Sequence, residues 1–454
     1  MGSRLPCFKR RKQVGGLWAY TKDPSMTTAL PSTRALISKY TCGMSDFPMP
    51  DHYPPHLTQA QFQEYMESYA KHFDLLKDIV SRNDNDTKWR VEVTVNGVPR
   101  VEEFDKLALC HGYQTYPEMP KFECKEKFED ILMHAQQFRP EDVEKYKGKN
   151  VVMVGMSSTA TDVINNIISH AANMYLSHRR GMYIFPTWRD KTPADLLLSW
   201  RRRRTGFLLQ RYLPGPGASY LRPASCSVPP GASDTIIPLL QAGRLTSLHG
   251  IKRFLGPRSI EFTDGSVLDD IDAVVCATGY TADLTVAPFL SSSRPPNYSG
   301  PELLPMAVSN IFRHAHPLPS LTQMESAVDA HHAWLAARYA ADTTPGSFDR
   351  SMVKSWEFQG FLHEAAGTGM ENLGEPRLSW VMNHGVETAH AFRVFETGKR
   401  RAWEGAREAI LRVNRDVASV DFYALRRLSL TRATNTHSPP TSPTQTQIIS
   451  AQPS

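Results

Sequence analysis

Val151 to Asp162 reads VVMVGMSSTATD, and the fold is decided there. A short apolar run ends at Gly155, and Val163, Ile164, Ile167, Ile168 and Ala171 then recur at helical spacing. A second short strand follows at MYLS, so strand, glycine turn, helix and strand make a βαβ unit, which predicts a parallel sheet. The first N–H groups of a helix lack partners and carry about half a positive charge, so a pyrophosphate is stabilised at such an end. Ser157, Ser158, Thr159 and Ala160 are small enough to let phosphates approach the backbone, and Asp162 closes the stretch. Only Gly155 is glycine, and Ser157 stands at the second glycine position of G-x-G-x-x-G. By itself the stretch also fits an ordinary strand-turn-helix with a serine-rich cap.

The end of the next strand separates the two readings. NAD-selective folds place a carboxylate about 20 residues on, against the ribose 2′-hydroxyl, whereas NADP-selective folds place arginine there. Here MYLSHRRG sets His178, Arg179 and Arg180 in that region with no acid beside them. Arginine binds phosphate bidentately through charge-assisted hydrogen bonds, so NADP is favoured over NAD. The alternative is a solvated basic turn. Arg201 to Arg204 could be a solvated face, a nuclear-localisation patch or part of a phosphate field, and we favour the solvated face.

Outward from this unit, Thr58 opens a capping box with Gln61. Phe62, Met66, Tyr69, Phe73 and Leu76 predict an amphipathic helix to about Val80. WRVEVTV, an Asn96-Gly97 turn and FDKLALC predict a β-ribbon leading into a strand. IKRFL, SIEFT and DAVVC predict three strands between 251 and 276. Residues 281–321 are Pro-rich and nearly aperiodic, and helical patterns return at Leu321 to Ala341 and Arg400 to Val413. The tail from Thr431 is a Ser/Thr/Pro tract, too poor in apolar residues to fold.

The chain has 454 residues, 41% hydrophobic and 22% charged, which suits two packed domains. A net charge of +6 fits anionic ligands and is too modest to indicate nucleic acid. The six cysteines are scattered without metal spacing, as expected in a reducing compartment. No run reaches the roughly 18 apolar residues of a membrane span. We expect a soluble cytoplasmic protein with no nucleic-acid partner and no metal.

Several motifs then carry a resemblance: GGLW (Gly15, Gly16, Leu17, Trp18), SDFPMPDHYP from Ser45, YAKHFDLLK from Tyr69, the βαβ unit, HRRG from His178, and CATGY from Cys276. In this order they resemble the flavin-containing monooxygenases over roughly residues 7–420. Phe128, His134 and Phe138 keep the spacing of that family's F-x-G-x-x-x-H-x-x-x-F/Y/W motif, with Asp130 in place of its glycine. Cys110 to Tyr113 and Ala277-Thr278-Gly279-Tyr280 resemble the A-T-G-H/Y turns that join its domains.

The resemblance implies an α/β fold of two Rossmann-like dinucleotide-binding domains, the NADP domain inserted in the FAD domain. NADPH would reduce the flavin, and the reduced flavin with O2 would deliver one oxygen atom to a soft nitrogen or sulfur of a small molecule. The cofactors carry the chemistry, so no catalytic side chain is expected. Gly15 to Trp18 would belong to the FAD site. Gly155, Ser157, Ser158, Thr159, Ala160, Asp162, Arg179, Arg180, Thr278, Gly279 and Tyr280 would belong to the NADPH site and its link. The expected domains are 1–148 (FAD, partial), 149–280 (NADPH), 281–425 (the FAD remainder with a helical region) and 426–454 (a disordered tail).

The family's opening strand and G-x-G-x-x-G loop have no counterpart before Cys7-Phe8, and Lys9 stands where the ribose-binding acid belongs. A second gap falls near Pro305-Met306, and Leu36 replaces an asparagine that the family often places before S-K. The FAD domain is therefore expected to be incomplete. The alternative to a monooxygenase is an inactive remnant that binds NADP alone.

Overall fold

The computed structural model describes residues 13–75, 89–95, 98–104, 114–179, 181, 184–189, 192–197, 231–281, 303–339, 355–369, 375–396 and 403–418. In chain order the elements are α1 (Lys39–Cys42), α2 (Gln59–His72), β1 (Trp89–Val95), β2 (Val98–Phe104), β3 (Tyr116–Pro117), β4 (Ile131–His134) and β5 (Asn150–Val154). Then come α3 (Ser158–Ile167), β6 (Asn173–Ser177), α4 (Ile236–Gln241), β7 (Thr246–Leu248), β8 (Ile251–Gly256), β9 (Ser259–Phe262), β10 (Val267–Leu268), β11 (Ala273–Cys276) and β12 (Tyr280–Thr281). Five helices follow: α5 (Leu303–Phe312), α6 (Leu321–Tyr339), α7 (Ser355–Ala366), α8 (Pro376–His384) and α9 (Ala406–Ala418).

The largest described sheet has five strands in the order β7-β6-β5-β11-β4, all parallel. Its strands alternate between two cores, as the two-residue period of a strand requires. Val151, Met153, Ala273 and Val275 face Val163, Ile164 and Ile167 of α3 and Ile236 of α4. Val152, Val274 and Cys276 face the other way, against Phe254, Ile260 and Phe262 of the antiparallel β8-β9-β10 meander. Burial on both faces is why VVMV and AVVC read as unbroken apolar runs rather than alternating ones. β5 has β6 on one side and β11 on the other, so the chain order reverses there, and ligands of open α/β sheets bind beyond the strand carboxyl ends at such a point. The sheet also takes β4 from before residue 149.

The segment from Val14 to Asp74 wraps a smaller core. Tyr65 of α2 packs with Leu57, Met49 and Tyr53. Its hydroxyl accepts from Met44 N at 2.7 Å and donates to the Phe47 carbonyl at 2.5 Å. The capping box forms: Thr58 Oγ1 accepts from Gln61 N, and Gln61 Oε1 accepts from Thr58 N at 3.0 Å. The helix is shorter than the apolar spacing predicts. It ends at His72, where Asp74 turns into the left-handed region at φ 53°, a conformation aspartate tolerates better than most residues.

Asn96-Gly97, much of FDKLALC, Arg180, Arg201 to Arg204 and the Ser/Thr/Pro tail lie outside the described residues, although β1 and β2 pair antiparallel around 96–97 with Val95 opposite Val98. The nearly aperiodic 281–321 stretch contains α5, with Pro305 in its first turn, where a missing N–H costs no intrahelical bond. Met306 and Ala307 of α5 pack on Leu362, Ala365 and Ala366 of α7. The C-terminal helices close back on the N-terminal segment. Arg393 Nη1 pairs with Asp46 Oδ2 at 2.5 Å, both side chains buried, and His390 Nδ1 lies 2.8 Å from the Ser45 carbonyl. No helix of the described residues is long and apolar enough to cross a membrane.

Candidate functional site

The strand ends of β5, β6 and β11 meet at one edge of the parallel sheet. Gly155 N donates to the Ser177 carbonyl at 2.9 Å, and Ala277 N donates to the Val154 carbonyl at 2.8 Å. Gly155 sits at φ 97°, and a Cβ built there would stand 2.5 Å from the Ala277 carbonyl oxygen. The one glycine of the turn is thus required twice, for its conformation and for the approach of the neighbouring chain.

The chain then enters α3 through Ser157, whose backbone is extended at φ −84° and whose side chain makes no capping hydrogen bond. Ser157 and Ser158 are exposed, Thr159 is half-buried, and Ala160 is buried under the helix. A serine N-cap whose hydroxyl is not spent on its own helix leaves the first N–H groups without that side-chain cap. Asp162 lies one turn further on and faces away from that end. Its Oδ2 accepts from Thr33 Oγ1 at 2.7 Å, and burial pushes its pKa up to about 6. Asn166 adds a bond to Ser32 Oγ at 2.9 Å, so this face of α3 fastens the Leu30–Thr33 turn.

Arg179 follows β6 at the same edge and is exposed, its stem 3.3 Å from the position of a Cβ on Gly250. The ring of His178 braces the turn: Nδ1 accepts from Gly181 N at 3.0 Å and Nε2 lies 2.7 Å from Ser247 Oγ.

Ala277 to Tyr280 leads out of β11. Thr278 Oγ1 donates to the Glu118 carbonyl at 2.6 Å, Gly279 turns at φ 93°, and Tyr280 pairs with Pro117 in the β12-β3 ribbon. The Ala277–Tyr280 link therefore runs beside Tyr116–Pro117, while Cys110 to Tyr113 lie outside the described residues. Tyr280 also packs edge-on against His134 at 5.1 Å. His134, the histidine of the F-x-G-x-x-x-H spacing, is buried at the end of β4, and burial lowers its pKa while the Gly279 carbonyl opposes the shift. Phe128 and Phe138 of that motif are core residues, and Asp130 pairs with Lys149 at 3.3 Å.

Gly15 to Trp18 forms a 3-10 turn packed on α2. Trp18 stacks on Phe62 at 4.4 Å, Gln63 Nε2 donates to the Val14 carbonyl at 2.8 Å, and Gln59 Nε2 donates to the Trp18 carbonyl. A Cβ on Gly15 would run into the Gln63 carboxamide, so this glycine makes room for α2.

One device had no sequence signal. Arg139 is buried and all its guanidinium N–H groups meet carbonyls: Nε that of Thr21 at 2.8 Å, Nη1 those of Gln136 and Phe138 at 2.7 Å each, and Nη2 those of Met26 at 3.0 Å and Asp23. It ties residues 21–26 to the end of β4. An arginine just before a proline, as Arg139 is before Pro140, reads as surface, since nothing in the pattern announces carbonyls converging from a remote segment.

The profile of the flavin-binding monooxygenase-like family matches residues 2–222. The monooxygenase aurF of Gibberella zeae is 27% identical, over 90% of this chain and 92% of its own. Flavin-containing monooxygenase 5 of Cavia porcellus is 28% identical over 89% of this chain and 86% of its own. Among solved structures, S-allyl-L-cysteine S-oxygenase from Allium sativum overlays with a TM-score of 0.57 at 16% identity, covering 91% of this chain and 93% of the other, a likeness of fold.

Proposed function

We propose that this chain, which belongs to the flavin-containing monooxygenase family, seats NADPH at the β5–α3 turn and with O2 oxygenates a soft nitrogen or sulfur centre of a small molecule. Flavin-dependent monooxygenation is the general activity of its relatives, and FAD and NADPH are the family's cofactors. The fold is of the α/β class, with a parallel sheet of the Rossmann type. One observation carries the reading: a glycine-tight strand end and an uncapped helix N-terminus share the sheet edge with a basic strand end.

The residues fit NADPH. The Ser157, Ser158 and Thr159 backbone groups and the Ser157 hydroxyl would receive the pyrophosphate, with Ala160 letting it close on the helix. Arg179 and Arg180 would take the 2′-phosphate. Asp162 would act indirectly, by holding the Leu30–Thr33 turn against α3. Thr278, Gly279 and Tyr280 would set the link between an NADPH unit near 149–280 and the FAD parts on either side. NADPH supplies a hydride when bound; the chain orients it and excludes water around it. A sulfur substrate draws support from the name of the Allium sativum enzyme, an S-oxygenase of a cysteine derivative.

The described residues do not fit an FAD pyrophosphate in the same way. The GGLW turn is committed to α2, with Gln63 standing against Gly15. This favours a second reading, a protein that binds NADP without turning over. The test is made on the purified full chain. The first reading expects flavin absorbance to persist through gel filtration after incubation with FAD, and NADPH to be consumed under O2 with a thioether or tertiary amine. A colourless chain that NADP+ stabilises against heat, and FAD does not, establishes the second.

A further inference from the structure

His178 stands at the carboxyl end of β6, one residue before the arginine pair, and its ring is held on both nitrogens. Gly181 N is an obligatory donor, so Nδ1 is the acceptor of the 3.0 Å contact; in the neutral ring Nε2 then carries the proton and donates to Ser247 Oγ at 2.7 Å. The backbone joins in, with His178 N donating to the Leu248 carbonyl at 3.0 Å. The ring thus spans the ends of β6 and β7 and closes the turn at Gly181, which needs its positive φ of 73°. Burial and the neighbouring His249 both lower the His178 pKa, which keeps the ring in the neutral form this arrangement requires. His249 itself lies 3.7 Å from Asp264. From below, Gly250 leaves room for the stem of Arg179, whose Cγ lies 3.3 Å from where a Cβ would be.

We propose that His178 is a positioning residue for the 2′-phosphate end of the coenzyme: by bridging Gly181 N–H and Ser247 Oγ it fixes the turn that presents Arg179. The inference rests on the NADPH reading above and adds to it a determinant of selectivity that does not itself touch the nucleotide. A preorganised guanidinium spends less of its interaction on ordering its own turn. Loss of the brace therefore weakens the nucleotide that carries the 2′-phosphate and spares the one that lacks it.

The experiment is calorimetric titration of the full chain with NADP+ and with NAD+. Wild type binds NADP+ the more tightly. His178→Leu, which keeps the bulk and removes both hydrogen bonds, weakens NADP+ about tenfold and leaves NAD+ within about twofold. His178→Asn, whose Oδ1 can accept from Gly181 N–H as Nδ1 does, keeps NADP+ within about threefold of wild type. Ser247→Ala, at an exposed position that tolerates the change, weakens NADP+ about threefold without affecting NAD+, and serves if the leucine variant does not fold. Equal weakening of both nucleotides, or unchanged NADP+ affinity in the leucine and alanine variants, overturns the inference. Equal affinity of wild type for the two nucleotides overturns the coenzyme reading beneath it, and the inference with it.

Discussion

The carbonyl oxygen of Ala277 closes on Gly155 so tightly that a Cβ on the glycine would come within 2.5 Å of it. The partner atom belongs to the backbone and is fixed by the β11–β5 ladder, so it cannot swing aside as a side chain would. Gly155→Ala must also hold alanine at φ 97°. We expect the variant to lose about 2 kcal/mol or more of stability. NADP+ affinity should fall with it, because relief of the clash moves the turn we propose as the pyrophosphate seat. Urea unfolding and NADP+ titration check both; a variant as stable as wild type would show that the strand ends are free to part.

On the proposed coenzyme site, Arg179 should discriminate between the two nucleotides more sharply. A guanidinium on a phosphate makes a charge-assisted contact, so Arg179→Ala should cost NADP+ about tenfold or more in affinity and NAD+ little. Arg179→Lys should recover part of the loss, since lysine keeps the charge and gives up the bidentate fork. Equal effects on the two nucleotides would return Arg179 to the status of a solvated turn.

The parallel sheet was legible because double-sided burial writes unbroken apolar runs, VVMV and AVVC, between helical spacing that names α3. The capping box at Thr58 and Gln61 was legible for the same local reason. What escaped the sequence is what distant segments do to one another. The apolar spacing through Leu76 also runs past the observed end of α2 at His72, because the left-handed turn at Asp74 leaves no mark on the apolar period. Asp162 looked like part of a phosphate turn, yet its partner Thr33 comes from a remote loop. Gly15 and Gly16 looked like a nucleotide loop, and the packing of Gln63 explains the first of them without any ligand. His178 passed unnoticed as a brace because its partners, Gly181 and Ser247, come together only when β6 and β7 pair.

The Asp162 carboxyl gives a pH dependence of definite sign. Burial raises its pKa from 3.8 to about 6, against the opposing bond from Thr33. Between those values the folded chain binds more protons than the unfolded chain, so this group lowers stability as pH rises through that window, and its effect is constant above it. Asp162→Asn keeps an oxygen to accept from Thr33 and never ionises. At about pH 8 it should be more stable than wild type, on the order of 1–2 kcal/mol, and the gap should close by about pH 4. Denaturant unfolding at the two pH values measures this directly. A variant less stable than wild type at both would mean that the carboxylate has a stabilising partner outside the Thr33 bond.

Arg139 tests how the N-terminal segment is fastened to the sheet. Its guanidinium is buried and meets the carbonyls of Thr21, Asp23, Met26, Gln136 and Phe138, so removing it takes the donor from two buried and three part-buried acceptors at once. Arg139→Met should cost about 3 kcal/mol or more, since the lost bonds were charge-assisted and the vacated carbonyls are not replaced by apolar groups. Arg139→Lys should recover little, because a point ammonium cannot reach carbonyls arrayed around a planar fork. The damage should be local before it is global. Limited proteolysis should cut first between Thr21 and Met26, while the βαβ unit around Gly155 keeps its own core of Val151, Met153, Ile164 and Ile167 and so its NADP+ binding. If cleavage instead began within α3, the arginine would be supporting the nucleotide unit itself, and the two parts of the chain would have to be treated as one cooperative structure.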